Sequence, residues 1–214
     1  PQTPAICAAV RLLPSYERLG IERLQCLDFR DQVLSILRSQ RSGVIGQHLG
    51  LRVVDGRNYL DFVASRDDRT LEIAMRLYVD GTTMWHVPVV SGKSRGQFDS
   101  MFGTYFISES AVSSAIRSIQ SCSSAFVHSA LRGTASTVAM TLSLVGGHGR
   151  YLNKLDNNPS SYNAPSGHVE SPLTITERPI RVSWGATTTL ESEHTPVMAL
   201  LRQAFIAEGM YYKG

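Results

Sequence analysis

Residues 71–90, LEIAMRLYVDGTTMWHVPVV, decide the fold class of this chain. Apolar side chains recur at every second position from Leu71 to Val79, the period of a strand with one buried face. The pair Asp80–Gly81 then marks a tight turn, and a second apolar segment follows it. Another such pair, Asp55–Gly56, punctuates the segment before. Residues 49–90 therefore predict a mostly antiparallel meander of about four strands.

Helical periodicity lies on both sides of this meander. A helix is predicted from Asp28 to about Gln40, and a second from Ser108 to about Ser121. Their predicted inward residues are Phe29, Val33 and Leu37 in the first, and Val112, Ala115, Ile116 and Ile119 in the second. Residues 136–155 suggest a strand, a glycine-rich bend and the start of a helix. Residues 178–191 suggest a strand or an irregular turn.

The order of helix, strands and helices indicates an α+β fold rather than an alternating βαβ one. We expect one domain over residues 1–214, because the chain is long enough for a single substantial core. Within it we expect a β-rich N-terminal lobe, about 1–107, and a more helical C-terminal lobe, about 108–214.

Composition limits the classes of protein to consider. No run of eighteen or more apolar residues occurs, so no transmembrane helix and no membrane association are expected. The N-terminal residues lack the basic segment and cleavage pattern of a signal peptide. These features suit a protein that is cytoplasmic, or secreted after removal of a leader. Three scattered cysteines predict packed thiols, with Cys7–Cys26 as the bridge to consider in an exported protein.

The net charge is +3, and positive charge is clustered in the first half of the chain. The cluster suits an anionic partner, although a solvated surface is the more common explanation of such a cluster. It comprises Arg38 and Arg41 in the segment RSQRSG, together with Arg52, Arg57, Arg66, Arg69 and Arg76.

The closing segment, residues 194–214, HTPVMALLRQAFIAEGMYYKG, predicts a third helix. Thr195 offers an N-cap hydroxyl, and Pro196 suits the first helical position. Apolar residues at steps of three and four form an inward stripe, and Glu208 continues that stripe, whereas Arg202 lies off it. A buried carboxylate is costly unless it is paired. Glu208 therefore has either an arginine partner in the core or a catalytic role in a cleft.

Several common sites are missing from the sequence. It contains no P-loop, dinucleotide fingerprint, nucleophile elbow or zinc-protease motif. The six histidines are dispersed, with none at ligand spacing from an acid or a cysteine. We therefore expect no catalytic metal. Trp85, at a strand end, is either a core residue or a stacking surface beside a cleft.

Taken in order, three segments resemble the catalytic chain of ribosome-inactivating proteins, the ricin and Shiga toxin A-chain family. Residues 71–90 resemble the family's strand–turn–strand unit, and Trp85 takes the place of the tyrosine that stacks on the target adenine. Residues 138–155 resemble the next unit, with Tyr151 nearest to its tyrosine. The segment ALLRQAFIAEGMYY resembles the active-site helix, in which Glu208 matches the catalytic glutamate and Tyr212 the closing aromatic. Tyr211 stands where the family has arginine.

The resemblance implies an rRNA N-glycosylase that releases one adenine from the sarcin–ricin loop of the large ribosomal RNA and so inhibits protein synthesis. It implies Glu208 and Tyr211 as catalytic residues, and Trp85, Tyr151 and Tyr212 as substrate-binding residues. The implied partner is the ribosome, no cofactor is required, and a monomer is expected. Two alternatives remain: a non-catalytic binding module of the same architecture, in which the missing arginine means lost chemistry, and an unrelated structural α+β protein.

Overall fold

The computed structural model describes ten stretches of the chain, and the structural statements below concern these stretches. They are residues 4–13, 19–39, 50–67, 70–89, 106–130, 137–146, 151–153, 180–185, 190–207 and 211–212.

Ten strands and four α-helices make up the described structure, and α3 continues into a π-helical turn, Phe126–Ala130. In chain order the elements are β1 (Ala5–Leu13), α1 (Gly20–Gln25), α2 (Leu27–Ser39), β2 (Arg52–Asp55), β3 (Tyr59–Asp67), β4 (Thr70–Tyr78), β5 (Thr83–Pro88), β6 (Phe106–Ser108), α3 (Glu109–Ala125), β7 (Thr137–Val145), β8 (Tyr151–Asn153), β9 (Ile180–Gly185), α4 (Leu190–Ala207) and β10 (Tyr211–Tyr212).

Seven strands form one antiparallel sheet in the order β2-β3-β4-β5-β1-β7-β9. The predicted four-strand meander is confirmed as β2 to β5. Strand β1 pairs with both β5 and β7, so the N-terminal strand lies inside the sheet. The strands β7 and β9 extend the same sheet from the second half of the chain. The predicted α+β class is confirmed.

One face of the sheet is buried against the helices. Alternate residues of each inner strand point to this face, as the period of two requires. On β7, for example, Val138, Met140, Leu142 and Leu144 are fully buried, whereas the residues between them are half-buried. The buried apolar residues of the strands, apart from Ala5, join the helical ones in one hydrophobic cluster. We call this the inner face, and the opposite one the outer face.

Two of the three predicted helices occur where the periodicity places them. Helix α2 buries Phe29, Val33 and Leu37, and α3 buries all four of its predicted inward residues. The Ser108 Oγ accepts a hydrogen bond from the Ala111 N–H at 3.3 Å, which caps α3 at the predicted residue.

The closing helix differs from its prediction at both ends. It begins at Leu190, upstream of the predicted Thr195 cap, so Pro196 lies within the helix without ending it. The helix is described to Ala207, and Tyr211–Tyr212 then form strand β10 instead of continuing it. Tyr151, predicted to open a helix, begins strand β8. In both strands, pairing with a neighbouring segment supplies backbone partners that a local helix would otherwise provide.

Helices α3 and α4 are joined by an ion pair. The Arg202 Nε donates to the Glu109 Oε1 at 2.6 Å, and Arg202 Nη2 contacts the same oxygen. Glu109 is only 6% exposed, so the arginine provides the opposite charge that a buried carboxylate needs. The predicted position of Arg202 off the apolar stripe agrees with this contact.

All three cysteines are free thiols, so the structure holds no Cys7–Cys26 bridge. Burial raises the pKa of the Cys122 thiol to about 12, and desolvation also raises the pKa of Cys7. Each group therefore stays a neutral thiol at physiological pH. Of the helices in the described stretches, none combines the length and apolar character needed to cross a membrane.

Candidate functional site

A second, smaller sheet brings together strands that carry three of the predicted site residues. Its order is β10-β8-β6, and both pairings are parallel. Tyr211 is in register with Leu152, and Tyr212 with Asn153. Tyr151, the first residue of β8, is in register with Phe106 of β6. The backbone of Tyr151 is therefore one strand away from that of Tyr211 and Tyr212. This arrangement joins segments about sixty residues apart.

Helix α4 packs beside this small sheet. It contacts β8, β9 and β10 as well as α3, and its residues Leu201 and Phe205 are fully buried in the core. Leu152 of β8 and Ile107 of β6 are buried in the same cluster. The apolar stripe of α4 therefore faces inward, as predicted.

Glu208 itself lies outside the described residues. In the chain it directly follows Ala207, the last described residue of α4, and it precedes Tyr211 of β10 by three positions. Its assignment as the catalytic acid stays a prediction. What the structure adds is the location of the residues on either side, at the helix end and at the edge strand of the small sheet.

Trp85 is placed on the inner face of the large sheet. Its side chain is only 4% exposed and belongs to the hydrophobic cluster. The indole N–H donates to the Thr83 Oγ1 at 2.9 Å, and that hydroxyl is buried as well. The packing of Trp85 therefore supports the interpretation that it is a core residue. A stacking contact with a base stays a prediction.

Strands β5 and β7 end on the same side of the large sheet. Ala5 of β1 is in register with Pro88 of β5 on one side and with Val145 of β7 on the other. The Val89 N–H donates to the Pro4 carbonyl at 2.7 Å, which closes this end of the sheet. Trp85 lies three residues before Pro88. Strand β5 carries Trp85, and strand β7 precedes Tyr151 in the chain. Both strands therefore end on the same side of the sheet.

A glycine turns the chain at that end. Gly146, directly after β7, has a φ of +67°, a left-handed conformation that glycine adopts without steric cost. The predicted glycine-rich bend is confirmed at this residue. Five residues later the chain enters β8 at Tyr151.

Part of the basic cluster is neutralised within the fold. Arg76 donates to both carboxylate oxygens of Asp61, from Nε at 2.7 Å and from Nη2 at 2.9 Å, and its guanidinium lies 3.9 Å from the centre of the Tyr59 ring. The Asp61 hydrogen bond raises the pKa of Arg76 further. Arg30 pairs with Asp55 in a similar way. The charge of Arg76 is therefore already balanced by Asp61.

The other basic residues of the cluster have different placements. Arg38, Arg52 and Arg57 are exposed. The side chain of Arg66 is not among those described, and Arg41 and Arg69 lie outside the described residues. An anionic partner would therefore meet the exposed members on α2, on β2 and in the turn that follows β2.

The arginines considered as partners for Glu208 are spread over the fold. Arg117 is exposed on α3, and the backbone of Arg181 lies in β9. Arg132, Arg150 and Arg178 lie outside the described residues. The ion pair between α4 and α3 uses an arginine of α4 itself, Arg202.

Sequence reasoning missed a cavity on the outer face. It has a volume of about 590 Å³, and its walls come from β1, β3, β4, β5 and β7. The signal in the sequence was the recurrence of small residues at alternate positions, such as Cys7 and Ala9 on β1 and Thr141 and Ser143 on β7. Among the described residues, no three side chains of His, Cys, Asp or Glu gather into a metal site.

The chain matches no protein-family model, no curated protein and no solved structure. A functional assignment therefore depends on the chemistry of the residues and on the arrangement of β5, β8, β10 and α4.

Proposed function

We propose that this protein is an rRNA N-glycosylase of the ribosome-inactivating type, which releases a specific adenine from the sarcin–ricin loop of large-subunit rRNA and thereby inhibits translation. The observation that supports the proposal most is the parallel pairing of β8 with β10 beside helix α4. It brings the strand that starts at Tyr151 next to the strand of Tyr211 and Tyr212. In the sequence, Glu208 is the first of the three residues between Ala207 of α4 and Tyr211 of β10.

The proposed reaction needs a carboxylate and aromatic surfaces, and no cofactor. An adenine turned out of the RNA stack is held against aromatic side chains, which contribute about 1–3 kcal/mol per stacked base. Breaking the bond between ribose C1′ and adenine N9 leaves the electron pair on the base and a cation-like ribose. The Glu208 carboxylate stabilises that positive charge. Water adds its hydroxyl to C1′, and a proton completes the released adenine.

Tyr211 carries the role that arginine has in the resembling family. A tyrosine hydroxyl can donate a hydrogen bond to a ring nitrogen of the departing adenine, although it brings no positive charge. Tyr151 and Tyr212, on adjacent strands, supply aromatic contact. Strands β5 and β7 end on the same side of the large sheet. Trp85 can stack on the adenine only if the base approaches the sheet from that side.

Treatment of ribosomal RNA with aniline tests the proposal directly. Ribosomes incubated with the protein are expected to yield one new rRNA fragment after aniline, because the sugar left without its base is cleaved there. Samples without aniline are the control and are expected to show intact RNA. A fragment that forms without aniline would indicate strand cleavage, and no fragment with any ribosome source tested would contradict the proposal.

Binding to ribosomal RNA is expected to weaken steeply with salt. Each phosphate contact releases counterions, so the logarithm of the binding constant falls with the logarithm of salt concentration, with a slope of about −0.7 to −0.9 per contact. The exposed Arg57 is a candidate contact, and Arg57→Gln should reduce the slope by about one. Arg76→Gln serves as the comparison, since Arg76 is already paired with Asp61. A filter-binding titration that is flat from low to physiological salt would remove RNA as the partner.

A non-catalytic RNA-binding module is the second candidate function, and the presence of Tyr211 in place of arginine is what favours it. The same measurements separate the two. Salt-dependent binding to ribosomal RNA without release of adenine would identify the binding module.

A further inference from the structure

The outer face of the large sheet carries an ordered row of side chains that the proposed function does not use. Across five strands, the residues in register along this row are Val63, Ala74, His86, Cys7 and Ser143. Side chains directly opposite each other on antiparallel strands have Cβ atoms about 4.5–5.5 Å apart. Cys7 is therefore a direct neighbour of His86 on one side and of Ser143 on the other.

The adjacent row deepens the same surface. It consists of Asp61, Arg76, Met84, Ala9 and Thr141, again in register. Strands β1 and β7 contribute only small side chains to the two rows, and the larger His86 and Met84 of β5 and Arg76 of β4 stand beside them. A depression results next to the larger side chains, and it is the cavity of about 590 Å³. This volume lies within the usual range for small-molecule sites, about 300–1,000 Å³.

The walls that the described residues provide are mainly apolar, and their formal charges cancel. Among these described lining residues, Asp61 and Arg76 are the charged ones, and they neutralise each other through two hydrogen bonds. An ionic ligand would have to give up its hydration without gaining a free countercharge. An uncharged ligand meets no such cost, so the walls favour a neutral molecule.

One polar group in the lining has no partner. The Nδ1 atom of His86 is buried and forms no hydrogen bond with the part of the chain described here. A buried polar atom is normally paired, so an orphaned one calls for an explanation. Because the imidazole lines the cavity, rotation about its Cβ–Cγ bond would present a ring nitrogen to a molecule bound there. The Thr141 and Ser143 hydroxyls lie on the far side of Cys7 and Ala9.

We propose that the outer-face cavity binds an uncharged, mainly apolar molecule that carries one hydroxyl, with His86 as its hydrogen-bond partner. The inference goes beyond the proposed function. The cavity lies on the face of the sheet opposite α3 and α4, and of its described lining residues none belongs to β8 or β10. Trp85 also borders the cavity, although its side chain belongs to the core on the inner face.

Protection of the Cys7 thiol by 2-naphthol tests the proposal. In a Cys26→Ser background, Cys7 is the accessible thiol, because Cys122 is buried in the core. With 2-naphthol at about ten times its Kd, modification of Cys7 by a maleimide should slow about tenfold, since only the free protein reacts. The anion naphthalene-2-sulfonate at the same concentration should give no protection. The Kd of 2-naphthol is obtained from its fluorescence titration.

Three variants locate the site. Ala9→Phe fills the cavity from β1 and should abolish protection, whereas Val54→Phe adds the same side chain at an exposed position of β2 outside the lining and should leave it unchanged. His86→Phe keeps an aromatic ring but removes the ring nitrogens, and should weaken 2-naphthol binding by about fivefold, the effect of losing one neutral hydrogen bond. Binding of hydroxyl-free naphthalene should not change.

Three results would overturn the proposal. The first is no protection by 2-naphthol up to its solubility limit, and the second is equal protection in Ala9→Phe and the unaltered protein. The third is a dimer in sedimentation velocity that Ala9→Phe converts to a monomer, because a second copy of the chain would then be the occupant. Thermal unfolding of each variant confirms that the comparison is made on folded protein.

Discussion

Replacing Glu208 with glutamine is expected to lower adenine release by roughly a hundredfold or more, the scale on which loss of one preorganised electrostatic group acts. Glutamine keeps the shape of the side chain and can still form hydrogen bonds, but it has no negative charge to oppose the cation-like ribose. In the chain, Glu208 stands between the described end of α4 and strand β10, which pairs with β8. A purely structural Glu208 predicts unchanged release.

Adenine release and the thermal midpoint should be measured together for this variant. Glu109→Gln is the matched control, because it removes an acid that already has a structural role in pairing with Arg202. That control should lower the thermal midpoint while folded protein keeps its release rate, and Glu208→Gln should do the opposite. If the rate per folded molecule is the same in Glu208→Gln as in the unaltered protein, Glu208 is not catalytic.

The elements that the sequence predicted well are those held by local patterns. The meander from β2 to β5 carries period-two alternation and Asp-Gly turns, and both signals act within a few residues. Helices α2 and α3 likewise show their inward stripe and, for α3, the Ser108 cap in the sequence itself. The pairing of β1 between β5 and β7, in contrast, depends on contacts between distant parts of the chain. It joins residues more than seventy positions apart, and nothing in the local pattern of β1 specifies its neighbours.

The site was harder to predict for the same reason. Strands β8 and β10 are only three and two residues long, too short to show a period, and they exist because parallel pairing satisfies their backbones. Tyr151, Tyr211 and Tyr212 were therefore expected in helices. The sequence also could not identify which acidic residue is buried and paired. The apolar stripe drew attention to Glu208, whereas the acid that the structure shows buried and paired is Glu109, whose partner lies 93 residues away.

The last prediction separates the two interpretations of Trp85. Trp85→Ala should destabilise the fold by about 3–5 kcal/mol, the usual cost of removing a large aromatic side chain from a core. It would also leave the buried Thr83 hydroxyl without its indole partner. Met84→Ala, the next residue on the same strand but 49% exposed on the outer face, should change stability by no more than about 0.5 kcal/mol. Urea titrations measure both differences.

Because the alanine variant removes both packing and any stacking surface, it says nothing specific about the base. Trp85→Leu and Trp85→Phe do, since each keeps an apolar side chain in the core and only phenylalanine keeps an aromatic face. If the indole stacks on adenine, the leucine variant should lose about 1–3 kcal/mol of transition-state binding relative to phenylalanine, seen as a lower kcat/KM for adenine release at temperatures where both are folded. Equal kcat/KM in the two variants would show that Trp85 serves the core alone, and that the base must be held by the tyrosines of β8 and β10.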